Sequence, residues 1–294
     1  MFRLGPYELA RKGLDLTTVD LGDAAVAGKD IDLPQFDGRE LLLTSVPDRE
    51  SLASICKGGD ALVYPFYRYD RCWVTTEGDF ETYLASFSKT SRKGLRRRVR
   101  HLTSVSGGEL DIRHFADADE MGVYYADARA VSAKTFQEKL MDDGLPAGQD
   151  FIEEMTSHAR HGRCYGSILY LDDKPISYLH CEKRGSGWLA VYGGFDPAYA
   201  KLSPGTVHLL SILERSFDDR LCAFFDFGPG RSDYKQSFAT DAVPSSDILL
   251  LRKTGLNHLL VRTHKALRKV TRWGGRVADR LQLKTLIRQK IRGR

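Results

Sequence analysis

Residues able to do chemistry are concentrated in three stretches of this sequence. The first, KLSPGTVHLL (residues 201–210), sets Ser203, Pro204, Gly205 and Thr206 directly ahead of an apolar helical run. Ser203 suits a helix N-cap, and Pro204 suits the first helical position, where its missing amide costs nothing. Glycine in a helical first turn lowers stability unless the backbone must come close to something. The unpaired amides and positive pole of a helix start favour phosphate, and Lys201 adds a charge beside this one. The amides of Gly205, Thr206 and Val207, with Ser203 and Lys201, are therefore expected to hold phosphates. The plainer alternative is that Ser203 and Pro204 only start a helix.

The second stretch, FDFGPGRSDYKQSF (225–238), reads as a buried strand ending in Asp226 and Gly228, followed by a short helix from Ser232 or Asp233. Polar residues at the end of a central strand lie where open α/β sheets collect ligands. Asp226 offers a carboxylate there, and Lys235 offers a charge for a phosphate or an oxyanion. The alternative is that Asp226 and Asp233 cap the helix while Tyr234 packs. The third stretch, KTSRKGLRRRVRH (89–101), carries Lys89, Arg92, Lys93, Arg96, Arg97, Arg98 and Arg100 within thirteen residues. Leu95, Val99 and Leu102 form an anchoring stripe, so the cations, Arg96 and Arg97 among them, are expected to point in a defined direction toward a polyanion. A solvated helix face is the bland reading.

The elements that must position these residues follow from periodicity. ELLLTSV (40–46), ALVYPFYRY (61–69) and RCWVTT read as strands, with RESLASICKGG as a short helix between them. Residues 80–102 read as two helical pieces broken near Lys89 to Ser91. From Gly108 the order becomes regular: strand ELDIRHF, helices DADEMGVYYADARAVS and DFIEEMTSHARHG, then three strands joined by turn residues, CYGSILYLDD, PISYLHCEK and WLAVYGGF. That triplet predicts an antiparallel meander. A helix from SPGT, the strand CAFFDFG, the helix SDYKQSFAT and the strand SSDILLLRK complete the pattern.

The net charge of +5 conceals an asymmetry. From Arg252 onward there are 14 Lys/Arg and one acid, Asp279, leaving 30 basic and 38 acidic residues in the body, net −8. Leu256, Leu260, Leu267, Val270, Val277, Leu281 and Ile287 fall near one helical face of this tail, interrupted at Gly274-Gly275. Such a basic amphipathic tail docks on the acidic body, lies on an anionic membrane or binds tRNA; no DNA partner is expected. The five cysteines show no C-x-x-C pair, which argues against disulfides and zinc. His158 and His161 have helical metal-pair spacing but no completing ligand, so no metal is expected. No stretch is long and apolar enough to span a membrane and no secretory signal opens the chain, so the expected location is cytoplasmic, extending to the inner membrane face through the tail.

The element order from Gly108, with a tight turn and helix after the third meander strand, resembles the GNAT superfamily of acyltransferases. YLASFSKTSRKGLRRRVRHL, YGGFDPAYAKLSPGT and FDFGPGRSDYKQSFAT look closer to its FemAB-like branch, often labelled BioF2-like or CelD-like (cellulose-biosynthesis) acetyltransferases. The resemblance spans roughly residues 80–252. It implies an α/β fold of α+β type, with a mixed central sheet flanked by helices. It divides the chain into a short N-terminal α/β part (1–79) that is a degenerate second GNAT half, a GNAT-like domain (80–252) and a basic helical tail (253–294).

The resemblance also implies N-acyl transfer, other than aminoacyl transfer, from acetyl-CoA or a longer acyl-CoA to a small-molecule amine acceptor such as a cell-envelope polysaccharide or peptidoglycan precursor. Amine acylation needs a base for the attacking ammonium and an acid for the leaving group. By resemblance Tyr234 is that acid. The family's usual base, a glutamate near the fourth strand, has no equivalent in WLAVYGGFDPAY, and Glu182 and His180, which share a strand face with Tyr178, are the substitutes. AKLSPGT carries one glycine where the family's Q/R-x-x-G-x-G/A turn has two, and the stretch before residue 80 is short for a full Fem first copy. An aminoacyl-tRNA donor, or an inactive GNAT-fold binding module, are the alternatives.

Overall fold

The computed structural model describes residues 2–4, 7–10, 15–28, 36–48, 61–135, 138, 144–218, 222–230 and 232–280. The expected helix RESLASICKGG and the end of the tail lie outside the described residues. The chain forms two compact units, one from Met1–Arg68 with Pro244–Arg294 and one from Tyr69–Val243.

In the first unit, β1 (Phe2–Leu4) and β2 (Tyr7–Ala10) form an antiparallel pair. β3 (Thr17–Asp20), followed by the short helix α1 (Gly22–Ala27), runs parallel to β4 (Leu41–Pro47). β4 pairs antiparallel with β11 (Asp241–Arg252), and β11 neighbours β5 (Ala61–Thr75). The two predicted strands ALVYPFYRY and RCWVTT are thus one strand of 15 residues. Leu41, Leu43, Ile248 and Leu250 close one small core, and Tyr64, Leu251 and Val261 close another.

The second unit holds the predicted meander. β6 (Asp111–Phe115), β7 (Cys164–Leu171), β8 (Lys174–Arg184) and β9 (Gly187–Phe195) pair antiparallel in succession. β10 (Phe224–Asp226) then lies parallel to β9 and antiparallel to the end of β5. The sheet is mixed, with helices on both faces.

Period-2 alternation sorts the strand residues between those layers. Cys164, Ile168, Tyr170 and Tyr178 pack with Tyr124, Val131 and Met155, from α4 (Met121–Ser132) and α5 (Gln149–Arg160). Tyr165 and Cys181 pack in the opposite layer with Tyr83, Leu95, Leu213 and Phe238. Those residues belong to α2 (Phe80–Ser86), α3 (Lys89–Val105), α6 (Pro204–Asp218) and α7 (Asp233–Phe238). β7, buried at all eight positions, separates the two layers.

The break before α3 falls slightly earlier than expected: α2 ends at Ser86, and the Ser88 hydroxyl caps α3 by accepting the Ser91 amide at 3.1 Å. The tail helix α8 (Gly255–Arg280) continues through Gly274-Gly275, where an interruption was expected.

At Gly166 the sheet and α4 approach closely: a Cβ there would stand 2.5 Å from the Tyr124 ring. That ring is fully buried and its hydroxyl donates to the Leu179 carbonyl at 3.1 Å, so it has little freedom to withdraw. Gly166→Ala should cost about 1–3 kcal/mol of stability by urea denaturation; an unchanged midpoint would contradict this packing.

Candidate active site

A buried ion pair shapes the middle of the second unit. Arg71, on β5, donates from Nη2 and Nε to Asp226 Oδ2 at 2.7 and 2.9 Å, and Asp226 Oδ1 accepts the Gly228 amide at 2.7 Å. Both side chains are almost completely buried. This carboxylate, expected at a reactive position, is instead enclosed by protein groups and holds a turn. Lys235 is likewise engaged with the backbone: it is buried, and its Nζ donates to the carbonyls of Gly228 and Pro229 at 3.2 and 2.6 Å. Asp226 and Lys235 thus fix the same loop from its two ends.

Among the described residues β9 and β10 pair only at Trp188–Phe225 and Leu189–Asp226. Past these positions the strands part, and Ala190 to Phe195 are partly or fully exposed. α6 follows β9 and α7 follows β10, and both contribute to a cleft of about 580 Å³. Lys93, Gly94, Arg97 and Arg98 of α3, Thr206 of α6 and Tyr234 of α7 line it. The floor comes from Leu95 and Phe238, members of the core on that face.

Of the predicted site residues, Arg97, Thr206 and Tyr234 meet in this cleft. Arg96 points elsewhere, its guanidinium 2.8 Å from the Glu81 carboxylate on an exposed surface. Lys201 is exposed in the turn before α6.

The phosphate turn differs from expectation. Ser203 has left-handed φ (55°), and its carbonyl accepts the amides of both Thr206 and Val207 at 3.1 Å. Two of the three predicted phosphate donors are therefore engaged within the turn. Gly205 also has a local reason to be glycine, because a Cβ there would stand 3.0 Å from the Phe195 ring.

Positive charge at the cleft comes from α3. Gly94 has open space where a Cβ would stand, although glycine inside a helix costs roughly 0.5–1 kcal/mol relative to alanine. That missing side chain keeps the α3 wall open between Lys93, Arg97 and Arg98. Lys93 and Arg98 are expected only as members of the cation run, and Gly94 between them carries no expectation from the sequence. Plotting that run at helical period separates the Gly94 face from Arg92, Arg96 and Arg100.

Tyr234 stands edge-on to Phe227, with ring centroids 6.1 Å apart. Half of its side chain is open, yet crowding around the phenol raises its pKa by desolvation. The group is a protonated donor at neutral pH.

His180 and Glu182 do not reach the cleft. His180 lies on the α4/α5 face, its ring 5.9 Å from Tyr124 and 5.7 Å from Phe151. It is buried with Nδ1 unpartnered, and desolvation, with a smaller effect of His158, lowers its pKa to about 4. Glu182 pairs with Arg184 at 3.2 Å. The buried Cys181 thiol is pushed well above its ordinary range by desolvation, the wrong direction for a nucleophile.

A family model described as the acetyltransferase (GNAT) domain matches residues 89–236, which contain every residue of the cleft except Phe87, Ser237 and Phe238. No curated protein matches the chain. Among solved structures, the C-terminal domain of a protein assigned as a lysylphosphatidylglycerol synthetase from Agrobacterium fabrum is 12% identical with a TM-score of 0.52, over 84% of this chain and 75% of that one. FemX is 10% identical with a TM-score of 0.52, over 76% and 74%. L-PGS from Bacillus licheniformis is 10% identical with a TM-score of 0.51, over 78% and 73%. At these identities the likeness is one of fold.

His180 supplies a test of this environment. Between its ordinary value of 6.5 and about 4, the unfolded chain binds a proton at this position that the folded chain does not. Its contribution is therefore complete above pH 6.5 and lost as the pH falls toward 4, on the order of 3 kcal/mol. Urea melts should show the decline, and His180→Phe should reduce its slope; an unchanged slope would contradict a buried neutral imidazole.

Proposed function

Because the chain belongs to the GNAT acetyltransferase domain family, we propose that it is an N-acyltransferase moving an acyl group from acyl-CoA to an amine. The observation carrying this reading is the α3–α6–α7 cleft, in which three cations and a protonated tyrosine share one volume of about 580 Å³. Lys93, Arg97 and Arg98 take the donor's phosphates, and the Thr206 hydroxyl adds a hydrogen bond at the first turn of α6.

The thioester then extends toward the parted ends of β9 and β10. A neutral amine attacks its carbonyl carbon, the C–N bond forms, and the C–S bond breaks. Tyr234 gives its proton to the departing thiolate, while the amine releases its surplus proton to solvent. No acyl-enzyme is involved. A coenzyme A donor places the reaction in the cytoplasm. The FemAB-like, CelD-like resemblance extends the acceptor to a cell-envelope polysaccharide or peptidoglycan precursor.

One observation favours a second reading. Arg100 is exposed and Arg92 half-buried, both outside the cleft, continuing the basic surface of α3 beyond what a single coenzyme A tail needs. An aminoacyl-tRNA donor would use that extension.

Gly94→Leu separates folding from donor binding. The variant should melt at or above the parent temperature and yet raise the acyl-CoA KM by at least about tenfold, because the new side chain enters the cleft. Parental KM would overturn the site. Tyr234→Phe should lower kcat about 10²-fold with donor KM unchanged, and parental turnover would exclude the acid role. A thermal shift with tRNA but not with acetyl-CoA would select the second reading, and none with either donor would favour an inactive module.

A further inference from the structure

The tail helix α8 presents three distinct faces. One is docked within its own unit: Val261 packs with Tyr64 and Leu251, and Asn257 Nδ2 donates to Glu40 Oε1 at 2.7 Å. The Tyr64 hydroxyl meets His264 Nδ1 at 2.8 Å, and Arg268 donates to the Phe66 carbonyl. Positions 257, 261, 264 and 268 thus fix the rotation of the helix about its axis.

A second stripe follows at helical spacing and contains no charge: Leu256, Leu259, Thr263, Ala266 and Val270 are all exposed. Leu256 is 60% exposed, Leu259 59% and Val270 54%. Single exposed aliphatic side chains need no explanation, but a stripe of them on a helix held against rotation does. The third face runs beside it and is basic, with His258, Arg262, Lys265 and Lys269 exposed. No acid occurs between Arg252 and Val270.

We propose that the exposed apolar stripe and the basic face of α8 lie together on an anionic lipid bilayer surface. Aliphatic side chains beside cations match the acyl boundary beneath anionic headgroups. A nucleic acid would use the cations but leave Leu256 and Leu259 in water, since this stripe offers no aromatic ring for a base to stack on. A second copy would bring two like-charged faces together. The docked face keeps the helix attached to its unit while the other two remain available. This inference is independent of the acyl donor.

The test is co-sedimentation of the full chain with phosphatidylcholine vesicles, with and without phosphatidylglycerol. Binding should require phosphatidylglycerol and weaken with salt. Leu256→Ser/Leu259→Ser should bind at least about tenfold less, with an unchanged melt. Arg262→Glu/Lys269→Glu should lose binding similarly, and serves should the leucine variant fail to fold. Val123→Ser, at an exposed aliphatic residue elsewhere, should bind like the parent.

Equal binding by the leucine variant and the parent would overturn the proposal, as would binding indifferent to phosphatidylglycerol. It would equally fail if the stripe variant abolished a concentration-dependent dimer, or if the charge variant lost RNA binding, while neither protein sedimented with vesicles.

Discussion

The Arg71–Asp226 ion pair determines where β10 stops, and the candidate site depends on that endpoint. With one carboxylate oxygen held by guanidinium and the other by the Gly228 amide, the chain turns away from β9 immediately after two paired positions. Gly228 makes the turn at φ 73°, close to the Ala190 carbonyl, where a side chain would crowd the strand. Lys235 then ties the loop carbonyls back and sets the start of α7, and with it Tyr234. A buried ion pair rarely adds net stability over apolar residues of equal volume. Here it supplies geometry: an enclosed anchor from which two parallel strands diverge.

Positive charge at the cleft is distributed differently from what a helix start alone would give. The first turn of α6 directs the Thr206 and Val207 amides to Ser203, and Phe195 lies against Gly205. Charge enters instead from α3, whose Leu95 and Leu102 are buried and fix which side chains face the cleft. Gly94 sacrifices helix propensity to leave the space between them unfilled.

Much of the architecture was legible in the sequence because its signals are local. The meander announced itself through alternation and through its turns, where Asp172, Asp173 and Gly185 take positive φ. The helix start at Pro204 and the basic character of α3 were similarly readable, whereas the start of α3 was read slightly too late. Long-range partners were not. Asp226 and Arg71 are 155 positions apart, and nothing near either one announces the other. Gly205 looked like a phosphate glycine because the approach of Phe195 is a tertiary contact, and Asp70 disguised β5 as two strands. His180 and Glu182 share a strand face, as period 2 requires, but only the packed layers reveal that His180 lies on the face opposite the cleft.

We infer that a phosphate-bearing donor sits between α3, the first turn of α6 and α7. Hydrogen exchange measured with and without acetyl-CoA addresses it directly, since bound ligand slows opening of the segments it touches. The predicted result is added protection confined to residues 89–98, 204–207 and 233–238, with β6 and α5 unaffected. Donor binding that protects other segments and leaves these three unchanged would contradict this placement of the donor.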